Sequence, residues 1–322
     1  MAHEPSPCAD ALVARIAQRA RGAAPSLYST THRTYVSLVY DLHRDRSHGA
    51  HHASRNQTAS EARLLHSTIA QRDPSARFVW FCAPHDTDEL RQMVLSITPR
   101  PRLIAISELE LEGWADCIHV SGSAHHSGPI LGFFKLLVPL LTRVIGRGPT
   151  MILDTDTVAL HNFSHLWNFT LEVADDDDDS QAWDVAFGTE HEHINGGLLA
   201  WARPPPDADA WLRCIAAGVI GLNASRRLGL RRSDPRNPRY AEQSLLIHIC
   251  SPPGLPWSNE SRLAASTARC SVRCHPYPAE LYSTGCSPDW RQTPTAAYHY
   301  NFRPRGSLER AHRLREQKEA VP

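Results

Sequence analysis

The sequence concentrates its chemistry in Met151–Leu160, MILDTDTVAL, where an apolar run passes straight into Asp154-Thr155-Asp156. Two carboxylates separated by one residue at the end of a buried strand can converge on one point, and hard divalent cations prefer such oxygen donors. In parallel α/β sheets, ligands sit beyond the carboxyl ends of the strands. A metal held there would neutralise a diphosphate as it leaves. The plainer alternative is a strand-ending turn with two solvated aspartates. The apolar strand before the pair and the downstream Phe163-Ser164-His165-Leu166-Trp167 favour the functional reading.

A second chemical group stands out through its rarity. The chain has 34 basic and 34 acidic residues, and of the basic ones 32 are arginine and two, Lys135 and Lys318, are lysine. Zero net charge excludes a nucleic-acid binder working through a broad basic field. Lys318 sits in the charged tail. Lys135 lies within an apolar helix pattern, where it either reaches the surface as a solvated head on a buried stem or serves as a compact cation for a phosphate.

The elements that must position these groups alternate along the chain. Strands are expected at Tyr35–Leu42, Arg77–Cys82, Arg102–Ile106 and Thr150–Leu153, with helices from Ser60, over Asp86–Ser96 and over Pro129–Leu141 between them. This order predicts an α/β fold with a mainly parallel, Rossmann-like sheet flanked by helices. The second half is more irregular, with strands at Trp183–Gly188 and Gly197–Trp201, a helix over Asp207–Ala217 and a short one over Glu242–Cys250, after which it is loop-rich up to Tyr298–Phe302. Asp10–Arg21 is a short amphipathic helix or a disordered lead-in. Trp167, Trp183, Trp201 and Trp211 fall at core positions, while Trp257 and Trp290 stand in Pro/Ser-rich loops suited to stacking on sugar rings.

These motifs, taken in order, resemble glycosyltransferase family 8 and its LARGE-type and xyloside xylosyltransferase relatives. The resemblance runs from about Tyr35 to Arg303. It is carried by Gly132–Pro139 (GFFKLLVP), the Asp154-Thr155-Asp156 motif with Leu166-Trp167, Ile194–Leu199 (INGGLL), Glu242-Gln243 and His299-Tyr300-Asn301. It implies a GT-A fold over residues 33–305, with residues 1–32 as a lead-in and 306–322 as a charged tail. It also implies a retaining, metal-dependent transfer of a hexose or pentose, xylose or glucose first, from a UDP-sugar to a glycan, glycoprotein or small sugar acceptor. Carried over residue by residue, Asp154, Asp156 and His299 would ligate Mn²⁺ or Mg²⁺. Lys135, Thr155, Gly196, Gly197, Glu242 and Asn301 would line the donor, and Gln243 and Asn195 would face the reacting carbon. There are departures: Glu242 replaces an aspartate, Gly196 a residue with a side chain, and Asn162 a common aspartate. Gln243 cannot ionise, so front-face attack through an oxocarbenium-like state is expected rather than a covalent sugar adduct.

Other features have competing readings. His191-Glu192-His193 is a metal pair, a lining of the acceptor pocket or simple surface polarity, and His125-His126 is a loop feature. Asp175–Asp179 reads as a solvated loop. Cys270, Cys274, His275 and Cys286 would form a zinc cluster, but without paired CxxC spacing; disulfides among Cys250, Cys270, Cys274 and Cys286 are the alternative in an oxidising lumen. Eight cysteines and sequons at Asn56, Asn162, Asn168, Asn223 and Asn259 lean towards the Golgi or another secretory compartment. The absence of an apolar signal-like stretch or membrane span leaves a cytoplasmic site open. Two other functions compete. Asp154-Thr155-Asp156-Thr157 also fits the first motif of haloacid-dehalogenase-like phosphatases, although no lysine but Lys318 follows it. The other is a catalytically silent domain that binds a sugar nucleotide.

Overall fold

The computed structural model describes residues 7–20, 33–39, 55–82, 92–93, 97, 99–118, 134–159, 163–175, 182–190, 193–227, 245–246, 249–250, 272–278, 281–284 and 297–299. Its centre is a seven-stranded sheet. The strands are β1 (Thr34–Val39), β2 (Arg77–Cys82), β3 (Arg102–Ala105), β4 (Thr150–Leu153), β6 (Trp183–Glu190), β7 (His193–Trp201) and β8 (Val272–Pro276), in the order β3-β2-β1-β4-β7-β6-β8. All run parallel except β7, which is antiparallel to both β4 and β6. The mainly parallel α/β sheet expected from the alternation is therefore present. A second, three-stranded sheet joins β5 (Thr157–Ala159), β10 (Ala297–His299) and β9 (Tyr282–Thr284).

Period-2 alternation sends side chains to two cores. Val36, Leu38, Val79, Phe81 and Ile152 enter one, against helix α1 (Pro7–Ala20), α3 (Glu108–Cys117) and α6 (Ala208–Arg227). Tyr35, Phe78, Met151 and Leu153 enter the other, against α2 (Arg55–Arg72) and α5 (Ser164–Asp175). Because both faces are covered, β1 and β4 are buried at every position, which is why their sequences are mostly apolar. Trp167, Trp183, Trp201 and Trp211 are all core residues.

Asp10–Arg21 resolves in favour of the amphipathic helix. Leu12, Ile16 and Ala17 of α1 are buried in the first core, and Arg19 pairs with Glu110 at 2.6 Å. Glu110 also closes a capping box on α3: its carboxylate accepts from the Ser107 N–H at 2.8 Å, and Ser107 Oγ accepts from the Glu110 N–H. Helix α2 begins at Arg55, five residues ahead of the expected start, because no Pro or Gly interrupts the polar turn before Ser60.

The single helix expected over Pro129–Leu141 is broken where it is described. Phe134 to Leu141 passes through turns and a 3-10 turn (Val138–Leu140) before the four-residue α4 (Thr142–Ile145). Pro139 has no N–H for a continued helix and sits in the first turn of that 3-10 segment. Strand β7 starts at His193 rather than Gly197. Its register with β6 shifts between Phe187 and Gly188, so that Gly188 faces Asn195 while Phe187 faces Leu199, and Gly196-Gly197-Leu198 bulge out. β5, β8, β9 and β10 were not expected at all. Most of Asp86–Ser96, five residues of Glu242–Cys250 with the Glu242-Gln243 pair among them, and the tail lie outside the described residues.

A carboxylate–lysine site at the end of strand β4

The last residue of β4 hands the chain to a tight turn, which three other elements hold at its two ends. Leu153 O accepts from Ser37 Oγ of β1 at 2.8 Å. The Asp154 N–H donates to Gly197 O of the β7 bulge at 2.9 Å, and Asp154 O accepts from the Thr157 N–H at 3.0 Å. On the far side, the Ala159 N–H donates to Thr68 Oγ1 of α2 at 3.1 Å. The Asp154-Thr155-Asp156 turn is thus pinned at both ends, while all three side chains remain half-buried at the carboxyl edge of the sheet.

Lys135 comes to this turn from the segment before the 3-10 turn. Its Nζ lies 2.6 Å from Asp154 Oδ1 and donates to Gly196 O at 2.8 Å. The residue is only 5% exposed, which rules out a head snorkelling to the surface. A lysine ammonium keeps its charge in such a place only with an anion and a carbonyl beside it, and it has both.

The bulge itself is held by Asn195, which is fully buried. Its Oδ1 accepts from the Gly197 N–H at 2.8 Å and from the Tyr282 hydroxyl at 3.1 Å. Asn195, Gly196 and Gly197 therefore sit beside Asp154 and Lys135, although 40 residues and more separate them in sequence. The side-chain oxygen of Asn195, expected to meet a sugar, is engaged within the protein.

His299 enters through the second sheet. In the β5–β10 ladder it pairs with Thr157, the residue after Asp156, and in the β10–β9 ladder with Thr284. Its backbone is thereby brought to the Asp154-Thr155-Asp156 turn from more than 140 residues away. Among the described residues, no group of three or more His, Cys, Asp or Glu side chains gathers around one point. The His299 side chain lies outside the described set, as do Glu242, Gln243 and Asn301. So do His125, His126, His191, Glu192, Trp257 and Trp290.

Of the two readings of the late cysteines, the disulfide one holds for Cys250 and Cys274, and the zinc cluster does not form. Cys274 is disulfide-bonded to Cys250, with Cα atoms 5.4 Å apart, so it has no thiolate to offer a zinc ion. His275 instead places Nε2 2.8 Å from Asp184 Oδ1, and Arg273 holds both oxygens of the same carboxylate. Cys117 and Cys214 are also in disulfides, while Cys82 is a buried thiol facing the Ile104 carbonyl. Sequence reasoning missed Ser37, Gly188 and Tyr282. None lies in a motif, and Tyr282 belongs to a three-residue strand too short to show a period.

No helix among the described residues is long and apolar enough to cross a membrane. No protein-family model matches the chain, and no curated protein matches it. Among solved structures it is similar to mouse xyloside xylosyltransferase 1, at 9% identity and a TM-score of 0.49 over 84% of this chain and 97% of that one. It is similar to the galactosyltransferase LgtC, solved with donor and acceptor sugar analogues, at 13% identity and a TM-score of 0.48 over 90% and 97%. It is also similar to the glycosyltransferase GlyE of Streptococcus pneumoniae TIGR4, at 10% identity and a TM-score of 0.45 over 91% and 61%.

Proposed function

We propose that this chain is a metal-dependent, retaining glycosyltransferase. It would move a hexose or pentose, xylose or glucose first, from a UDP-sugar to a glycan, glycoprotein or small sugar acceptor. The observation that carries the reading is the buried Lys135 ammonium set against Asp154 at the carboxyl end of β4. A compact cation and a pair of carboxylates at one strand end suit a diphosphate and its metal.

The donor set fits a divalent cation. Asp154 and Asp156 offer carboxylate oxygens from a fixed turn, and the strand carrying His299 is paired to the next residue. These three residues would hold Mn²⁺ or Mg²⁺, with the nitrogen favouring manganese. When bound, the metal would supply Lewis-acid stabilisation of the diphosphate. Lys135 would contribute a fixed positive charge for the β-phosphate, already desolvated and so needing no reorganisation during transfer.

In the transfer, the bond from the anomeric carbon to the β-phosphate oxygen breaks and one to the acceptor hydroxyl forms on the same face. The hydroxyl proton passes to the leaving phosphate. Thr155, Gly196, Gly197, Glu242 and Asn301 are assigned to the donor, and Gln243 to the reacting sugar as a neutral dipole. Asn195, with its oxygen engaged by Gly197 and Tyr282, is assigned to the support of the site rather than to the sugar. The Cys250–Cys274 disulfide supports an oxidising, secretory compartment such as the Golgi lumen. UDP release from a panel of UDP-sugars with Mn²⁺, beside an Asp156→Ala control, tests the reading.

A further inference from the structure

We propose that Tyr282 is a positioning residue of this site, acting through Asn195 on the glycine bulge that holds Asp154 and Lys135. The inference rests on the reading of the site given above. One oxygen, Asn195 Oδ1, joins the two halves of the arrangement. On one side it receives the Tyr282 hydroxyl at 3.1 Å, and on the other the Gly197 N–H at 2.8 Å. The two carbonyls nearest that N–H end on the working groups: Gly196 O accepts from Lys135 Nζ at 2.8 Å, and Gly197 O from the Asp154 N–H at 2.9 Å. Fixing Asn195 therefore fixes the bulge, and the bulge fixes both charges.

Space has been cleared for the tyrosine. Its ring is 1% exposed and lies against Gly188, where any Cβ would sit 2.3 Å from Cε1. Gly188 is the β6 residue in register with Asn195. The position opposite the asparagine thus carries no side chain, and the ring occupies that volume. Strand β9, which carries Tyr282, also pairs with the strand of His299 through Ala297↔Tyr282 and His299↔Thr284. One residue accordingly ties the His299 strand to the Asp154–Lys135 pair. A buried hydroxyl with no such duty would be replaced by phenylalanine at little expense.

The test is Mn²⁺ uptake by the full chain in the presence of UDP, read from the electron paramagnetic resonance signal of free Mn²⁺, with thermal melting alongside. Tyr282→Phe should weaken uptake about tenfold, as loss of a supporting hydrogen bond to a metal site does, and should move Tm by no more than about 4 °C. Gly188→Ala keeps the hydroxyl but displaces the ring, and should weaken uptake in the same direction; it decides the matter if Tyr282→Phe does not fold. Wild-type uptake in both variants, whatever their Tm, would overturn the inference alone. A wild-type chain that takes up no Mn²⁺ with UDP would overturn the reading of the site and the inference with it.

Discussion

Lys135 Nζ lies 2.6 Å from Asp154 Oδ1, and the same nitrogen reaches the Gly196 carbonyl, so the lysine bridges the end of β4 to the bulge in β7. The pair is unequal in exposure, 6% for the lysine side chain against 32% for the aspartate. The ammonium is a fixed part of the wall, while the carboxylate still faces outward. A ligand arriving at the strand end meets a part-exposed carboxylate backed by a buried positive charge.

Lys135→Met keeps the stem and removes the charge. Donor binding should weaken by about tenfold or more and turnover by about a hundredfold, since the fixed positive charge acts where negative charge develops. Stability should fall by only about 1–2 kcal/mol, because the stranded carboxylate is part-exposed. Calorimetry with UDP and Mn²⁺ beside urea unfolding checks both numbers, and unchanged donor binding would remove Lys135 from the diphosphate role.

His66 makes stability depend on pH. Its ring is buried, stacked on Phe78 with centroids 3.8 Å apart, and its Nε2–H donates to Pro99 O at 2.6 Å, while Nδ1 has no partner among the described residues. Burial pushes its pKa down to about 4. The folded state then binds fewer protons than the unfolded one between that value and the ordinary histidine value of about 6.5. Stability should be full above pH 6.5 and fall as pH drops towards 4, by an amount on the order of 2–3 kcal/mol. Urea midpoints across this range check it, and His66→Gln should flatten the His66 part of the slope.

The Cys250–Cys274 bridge closes a loop of 24 residues. By chain entropy such a link stabilises the fold by about 3 kcal/mol. Replacing both cysteines with serine should lower Tm by several degrees, with the other disulfides intact. Peptide mapping without reduction checks the pairing itself.

The sheet was largely legible in the sequence, and the site only in part. RFVWFC and TMIL announce strands because burial on two faces demands apolar residues at nearly every position, and that demand is local. The Asp154-Thr155-Asp156 motif and Lys135 could be found for the same reason: each is an anomaly against an apolar background. The Asn195–Gly197 bulge could not, because two glycines in a row look like a break, whereas here a register shift against β6 absorbs them. β9 and β10 have three residues each, and what fixes them is the pairing of β10 with β5 from across the chain and of β9 with β10. Tyr282 follows from that pairing and from a glycine more than 90 positions away. No sequence period carries such information.

The central claim is that Asp154, Asp156 and Lys135 serve a UDP-sugar. Its most direct test is UDP release from UDP-xylose, UDP-glucose and UDP-galactose with Mn²⁺ and a sugar acceptor, in wild-type protein and in Asp156→Ala. The account predicts metal-dependent release from at least one donor, lost by a factor of at least about a hundred in the variant. Equal release from the variant would contradict the metal assignment, and hydrolysis of small phosphate esters with no turnover of any UDP-sugar would contradict the function.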